Sequence, residues 1–284
     1  MPEFTVGPFL PVAEGVWRAV AMPDAVTIGL VAGSEGALVV DTGSHPDQGR
    51  EILAAAQAVA GVPVRHVVVT HAHRDHLFGL AAFDGIESLG HDTISERLTT
   101  SDTLAEAAAL GVATDHLRAP SIGFSLARTR DLGGLRVEIV HLGRGHTEGD
   151  LVVILPERGV IFVGDLVESA GPPAFGPDCD LGEWAKTLDS LIGLVPPDGI
   201  VVVGHGEPVN REFVQDQWAR IGALYSQVAQ FSDRGIPVED ALAKGSWLLP
   251  DEVVTAVLPL AYAQWAAKRR VRPPRQLPLL GHGG

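Results

Sequence analysis

One cysteine, Cys179, stands in the 284 residues, so no internal disulfide can form and a reducing compartment is expected. No run of about 18 or more apolar residues occurs, which argues against a membrane-spanning helix. The opening Met1-Pro2-Glu3-Phe4-Thr5 has no basic segment followed by an apolar one. No secretory leader is read there, and a cytoplasmic location is the expectation. Excess positive charge is missing as well. The formal net charge of −14 disfavours nucleic acid and anionic membrane as partners and leaves a small molecule as the expected one. A local exception, Lys268, Arg269, Arg270, Arg272 and Arg275, reads as a solvated basic cluster. No short repeat or low-complexity linker divides the chain, and 46% hydrophobic residues suffice for a sizeable core.

What is present alternates between strand and helix signals. Gly15–Met22 and Val26–Asp41 read as strands, the second broken by a Gly-Ser-Glu-Gly turn at 33–36. Pro46 marks a helix start before the Ala- and Leu-rich Glu51–Ala60. The β-branched run 64–70 reads as a buried strand, Thr93–Leu110 as helix, and 135–141, 151–155 and 159–164 as strands. Leu181, Trp184, Leu188 and Leu191 recur at helical spacing and form a core-facing stripe. Gly199–Val203 follows as a strand, and from Pro208 to about Arg270 the pattern is helical, with breaks near Gly235–Pro237 and at Pro250. The expected organisation is a layered α/β domain over 1–208, a helical extension over 209–272 packed on it, and a flexible tail over 273–284.

The densest signal is Thr70-His71-Ala72-His73-Arg74-Asp75-His76, three imidazoles and a carboxylate within six positions directly after a buried strand. Such groups are poor core material, because each must be hydrogen-bonded or charge-paired once buried. A metal site is the chemistry that needs them together. His146 stands in the turn-rich Gly143–Asp150, while Asp165 and His205 each follow an apolar strand. Strand ends hold ligands more rigidly than free loops do. The other histidines, at 45, 66, 91, 116, 141 and 282, lack this spacing and read as surface or satisfied core residues, with His45 a lesser candidate to line the cleft. Cys179 reads as a loop thiol.

The His-x-His-x-Asp-His run at 71–76, with His146, Asp165 and His205 following in order and Asp41 in Val39-Val40-Asp41-Thr42-Gly43, resembles the metallo-β-lactamase superfamily over roughly residues 15–210. The resemblance implies a four-layer αββα sandwich with a metal site at one sheet edge. It implies that His71, His73 and His146 hold one cation, that Asp75, His76 and His205 hold a second, and that Asp165 bridges them. Two zinc ions are the expected cofactors, with iron or manganese as alternatives. Asp41 is expected behind the ligands as a hydrogen-bond partner. The implied activity is hydrolysis by a shared, activated hydroxide, with Asp75 also orienting water and shuttling a proton.

Substrate class is narrowed by residues that differ from particular branches. Asp165 stands where one lactamase branch has cysteine, and Glu168 offers no positive group to a lactam carboxylate. Tyr225 and Tyr262, the only tyrosines, lie outside the interval 165–205 where signalling-lactone hydrolases carry one. The stretch from His146 through Thr147-Glu148-Gly149-Asp150 is similar to a hydrolase branch near the glyoxalase II-like and quinoprotein-associated members. A small ester, thioester, lactone or amide is the expected substrate. An iron-dependent oxidoreductase of the persulfide dioxygenase kind is the alternative, and a phosphodiesterase a weaker one. The loop 170–177 is expected to border the cleft, with Phe175 or Trp184 as an apolar wall. The resemblance also allows a homodimer.

Overall fold

The structure, a computed structural model, describes residues 3–271. The expected tail and the Arg272 and Arg275 of the basic cluster lie outside the described residues. Two sheets form the centre. The first holds β1 (Thr5–Val6), β2 (Leu10–Ala13), β3 (Val16–Met22), β4 (Val26–Ala32), β5 (Ala37–Val40), β6 (Val64–Val68), β7 (Glu87–His91) and β8 (Ile122–Phe124). Its path runs β1-β3-β4-β5-β6-β7-β8, with β2 paired to β3. The second holds β9 (Ala127–Asp131), β10 (Arg136–Val140), β11 (Val152–Leu155), β12 (Val160–Phe162) and β13 (Ile200–Val202), in the order β13-β12-β11-β10-β9.

Alternation along the strands explains the layering. Val31, Leu38, Val40 and Val68 join Val137, Ile139, Val153 and Phe162 in one buried cluster, the seam between the sheets. Their immediate neighbours Leu30, Val39, Val67 and Val69 belong instead to a cluster with Ile52 and Ala56 of α1 (Pro46–Ala60) and with Leu77 and Phe78. Successive side chains of a strand point to opposite faces, so strands apolar at every position must be covered on both. The architecture is therefore the expected αββα sandwich. Close helix-to-turn packing depends on Gly79, where a Cβ would collide with the Thr42 carbonyl.

The stretch expected as one helix over 93–110 is two, α3 (Thr93–Arg97) and α4 (Ser101–Leu110), with α2 (Arg74–Leu77) earlier in the ligand run. Thr100 separates them: its backbone is extended and its hydroxyl accepts from Thr103 N, capping α4. α5 (Leu181–Leu194) buries the Leu181, Trp184, Leu188 and Leu191 stripe and starts on Asp180, whose carboxylate caps it. Beyond it lie α6 (Arg211–Asp233), α7 (Val238–Lys244) and α8 (Asp251–Val271), the helical breaks falling near Gly235 and Pro250 as expected.

By internal contacts the chain divides into two compact units between Ala219 and Arg220, within α6. In the second unit, Tyr262 Oη donates to the Ile236 carbonyl (3.2 Å), and Asp233 accepts from Trp265 Nε1 (3.2 Å) and pairs with Arg269 (2.9 Å). Among the described residues no helix is long and apolar enough to cross a membrane.

Candidate metal centre

Parallel pairing places strand ends together. β5, β6 and β7 run parallel in the first sheet and β12 and β13 in the second, so the carboxyl ends of each set share one edge. Asp41 follows β5, and His71 lies just past β6. Asp165 sits in a short 3₁₀ turn after β12, and His205 follows β13. His73 precedes the single turn of α2, which carries Asp75 and His76. His146 comes from the loop between β10 and β11. Backbone hydrogen bonds stitch the two sheets at this edge, from Leu151 N to Thr70 O (2.8 Å) and from Thr27 N to Gly204 O (2.7 Å).

The seven expected ligands meet in two groups: His71, His73, His146 and Asp165, and Asp75, His76 and His205, with donor atoms of each group within 4.8 Å of one another. In the first, His73 Nδ1 lies 3.1 Å from His71 Nε2 and 2.9 Å from His146 Nε2. Asp165 Oδ2 is 3.7 Å from His71 Nε2 and 3.5 Å from His146 Nε2. In the second, Asp75 Oδ2 is 3.2 Å from His205 Nε2 and 3.6 Å from His76 Nε2. Asp165 reaches this group too, at 3.5 Å to His205 Nε2 and 3.3 Å to His76 Nε2. A Cβ at Gly204 would collide with Asp165 Oδ1, so only glycine lets the carboxylate lie here.

Two observations show that a cation fits. Nitrogen ligands at the distance usual for zinc stand about 3.3 Å apart around a tetrahedral ion, close to the spacing of these three ring nitrogens. In addition, His76 Nε2 and Asp165 Oδ1 are buried without a hydrogen-bond partner, although they lie within ion-pair range. Such orphaned atoms cost free energy unless something satisfies them.

The outer nitrogens of four imidazoles are engaged, which leaves the inner ones as lone-pair donors. His76 Nδ1–H donates to Asp41 Oδ2 (2.8 Å), His146 Nδ1–H to the Ala174 carbonyl (3.1 Å), and His73 Nε2–H to Asp178 Oδ2 (3.1 Å). Thr70 donates its hydroxyl to Asp41 Oδ2 (2.9 Å) and takes His71 Nδ1–H at 3.1 Å. Asp41 holds this arrangement from a left-handed backbone, φ 67°. Non-glycine residues rarely adopt that conformation, and aspartate does so more readily than most.

Charge in the cluster is arranged for cations. Burial opposes ionisation of Asp165, yet His76 and His71 outweigh it and hold the carboxyl well below its usual range. Burial likewise works against Asp75, and His76 and His205 still lower it to about 2. Burial resists a charge on His205, but hydrogen bonds to Asp165 and Asp75 raise it to about 10. His76 is raised by Asp165, Asp41 and Asp75 despite its burial. Burial alone dominates at His146, lowered to about 4, and at His71, lowered further still. The acidic half of the site thus takes up protons where no other cation is supplied.

Sequence reasoning missed Asp178, one residue past the loop expected to border the cleft. Its carboxylate also lies 3.6 Å from Arg97. Beside it is a cavity of about 240 Å³ lined by Ala72, Thr93, Arg97, Thr147, Glu148 and Asp178, among others. Trp184 is fully buried, its ring 5.7 Å from that of His146 and 5.5 Å from that of Phe175. It therefore backs the ligands, and the expectation that it lines a substrate cleft is corrected; Phe175 is the half-buried member of the pair. His45 caps α1 and stacks on Phe4 at 4.8 Å, a structural role. Cys179 is buried, and burial pushes its thiol up to about 12. Asp178→Asn is expected to weaken metal binding about 10- to 100-fold by loosening His73. Competition with a chromogenic chelator measures this, and unchanged affinity would remove Asp178 from the site.

Two layered sheets with an edge cluster of five imidazoles and two carboxylates define a metal-centred αββα protein. Residues 21–205 match the family model of the metallo-beta-lactamase superfamily, and the chain belongs to that superfamily. It is 27% identical over 180 residues to the metallo-beta-lactamase type 2 of Bacillus cereus, covering 63% of this chain and 66% of that one. It is 28% identical over 192 residues to the acyl-coenzyme A thioesterase MBLAC2 of Bos taurus, covering 59% of this chain and 67% of that one. The solved metallo-beta-lactamase of Pontibacter korlensis superimposes with a TM-score of 0.61 at 23% identity, over 78% of this chain and 99% of that chain. The present chain thus spans slightly under two thirds of the Bacillus relative.

Proposed function

We propose that the protein is a hydrolase that uses two divalent cations, zinc foremost, on a small ester, thioester, lactone or amide. The convergence of seven donor side chains, two with orphaned buried atoms, carries this reading. His71, His73 and His146 would hold one cation, Asp75, His76 and His205 the other, with Asp165 shared. Five imidazoles and two carboxylates form a donor set that suits zinc. Bound there, a cation pair supplies Lewis acidity toward a substrate oxygen and brings the pKa of water toward neutrality. The chain's own contribution is to fix the ring orientations through Asp41, Thr70, Asp178 and the Ala174 carbonyl. Asp75, kept anionic, orients water in the mouth of the site. The relatives named lactamase and thioesterase support acyl cleavage as the reaction type. Glu168, a carboxyl three residues past Asp165, weighs against a lactam whose own carboxylate needs a positive partner.

The test is metal analysis of protein purified without added metal, then turnover of ester, thioester and lactone substrates before and after chelation. Chelation is expected to lower turnover about 10³-fold or more, and zinc to restore it. Loading at pH 7 should release protons, because His205 carries one until its pKa of about 10 is passed. Its folded pKa lies above the unfolded value, so that proton stabilises the metal-free chain fully below about pH 6.5. The stabilisation is lost as pH rises toward 10, while cation affinity increases over the same window. Undiminished hydrolysis after exhaustive chelation would overturn the proposal. Stoichiometric iron with oxygen consumption would replace it with the oxidoreductase reading.

A further inference from the structure

Four donor imidazoles are oriented by hydrogen bonds from outside the cluster, and Asp165 is packed against Gly204. Asp75 and His205 have no such support. Among the described residues the Asp75 carboxylate meets His76 (3.6 Å) and His205 (3.2 Å), both donors themselves. The His205 ring meets Asp75, Asp165 (3.5 Å) and the ring of His76, with centroids 5.6 Å apart. No hydrogen bond to either side chain comes from outside the two donor groups, so their placement depends on their backbones.

Both backbones are fixed by one element, the turn between β3 and β4. Asp24 in that turn takes Arg74 through two bonds, to Nη1 at 3.0 Å and Nη2 at 2.7 Å. Arg74 opens α2 and directly precedes Asp75. Two parallel charge-assisted bonds define a direction as well as a distance. The turn is itself anchored. Ser44 donates its hydroxyl to Asp24 Oδ2 (2.5 Å), and the buried Gln48 takes Ser44 N (2.8 Å) and donates to the Met22 carbonyl (2.7 Å). At the far end of α2, Thr42 donates from N and Oγ1 to the His76 carbonyl (2.9 and 2.8 Å). Two residues past Asp24, Val26 forms an antiparallel bridge with His205, and Thr27 N donates to the Gly204 carbonyl (2.7 Å). The Asp24 and Arg74 side chains are 16% and 34% exposed, and partly exposed ion pairs add little to overall stability. Their effect should therefore fall on where the donors sit.

We propose that Asp24 is a positioning residue for the second donor group: through Arg74 it fixes the turn carrying Asp75 and His76, while the same β3–β4 turn fixes His205. The proposal rests on the two-cation reading above and names what tunes one cation's affinity apart from the other's.

Calorimetric titration of zinc into the metal-free parent, Asp24→Ala, Arg74→Ala and the double variant tests it. The parent should bind zinc in two steps. Each single variant should weaken one step about 10- to 100-fold, the step that His205→Ala also weakens, and leave the other unchanged. The double variant should lose no more than either single one, because Asp24 acts through Arg74. Should Asp24→Ala not fold, Asp24→Asn, which keeps the shape and removes the charge, takes its place. Both steps unchanged, both weakened alike, or additive losses in the double variant would overturn the proposal. If the parent binds one cation or none, the two-cation reading has failed separately, and amide hydrogen exchange of the metal-free proteins decides. Faster exchange in Asp24→Ala confined to 76–78 and to Thr27 supports the positioning role. Unchanged exchange there, or acceleration spread over both sheets, overturns it.

Discussion

Asp165→Asn is expected to lower turnover about 10³-fold or more while leaving the sandwich folded. Its carboxylate reaches donor nitrogens of both groups. Oδ2 stands 3.5 Å from His146 and from His205 and 3.7 Å from His71, while Oδ1 stands 3.3 Å from His76. Asparagine matches the shape, so the close approach permitted by Gly204 is kept. It loses the negative charge, however, and turns an amide N–H₂ donor toward nitrogens that must also present lone pairs. The loss should fall on the rate and on the metal content together. Elemental analysis should show the bound metal reduced, and circular dichroism should show the secondary structure retained. A variant with normal metal content and near-normal rate would remove Asp165 from its assigned role.

Asp41→Ala should cost stability as well as metal. The carboxylate is 2% exposed and accepts from Thr70 N (2.7 Å), Thr70 Oγ1 (2.9 Å) and His76 Nδ1 (2.8 Å). Alanine would leave all three donors buried and unpaired, in a left-handed backbone that a Cβ without a polar head does not favour. A loss of about 3–5 kcal/mol in the metal-free protein follows, read by denaturant titration. Metal affinity should fall about 10- to 100-fold through the freed His76 ring. Asp41→Asn keeps the backbone preference and one acceptor, so it should lie between the two. Equal unfolding midpoints for Asp41→Ala and the parent would show that the hydrogen bonds contribute nothing net.

The candidate site was legible because four of its eight positions, Asp41, His71, Asp165 and His205, lie just past apolar strands, where imidazole and carboxylate stand out against a β-branched background. Layering was legible for the same reason: strands such as Val26–Ala32 and Ala37–Val40 are apolar on both faces. Contacts between distant segments were not. Asp178 meets His73 across 105 positions, and Gln217 meets Glu168 across 49, with no local pattern to announce either. β7, Glu-Ser-Leu-Gly-His, has no β-branched residue, and β9, Ala-Arg-Thr-Arg-Asp, is an edge strand exposed at most positions, so neither looks like sheet from its own residues. The single helix expected over 93–110 failed at Thr100, because a capping hydroxyl competes with helix continuation more strongly than the surrounding alanines show.

The hydrogen bonds from Leu151 to Thr70 and from Thr27 to Gly204 join the two sheets where the ligands converge. Sliding one sheet over the other would therefore draw His146 and His205 away from the 71–76 loop. Cations gripped at this seam would act as a removable cross-link between segments as far apart in the chain as positions 71 and 205. In a protein with one cysteine, such coordination would fasten the two halves of the sandwich in the way a disulfide does elsewhere, and it would tie mechanical cohesion to metal supply.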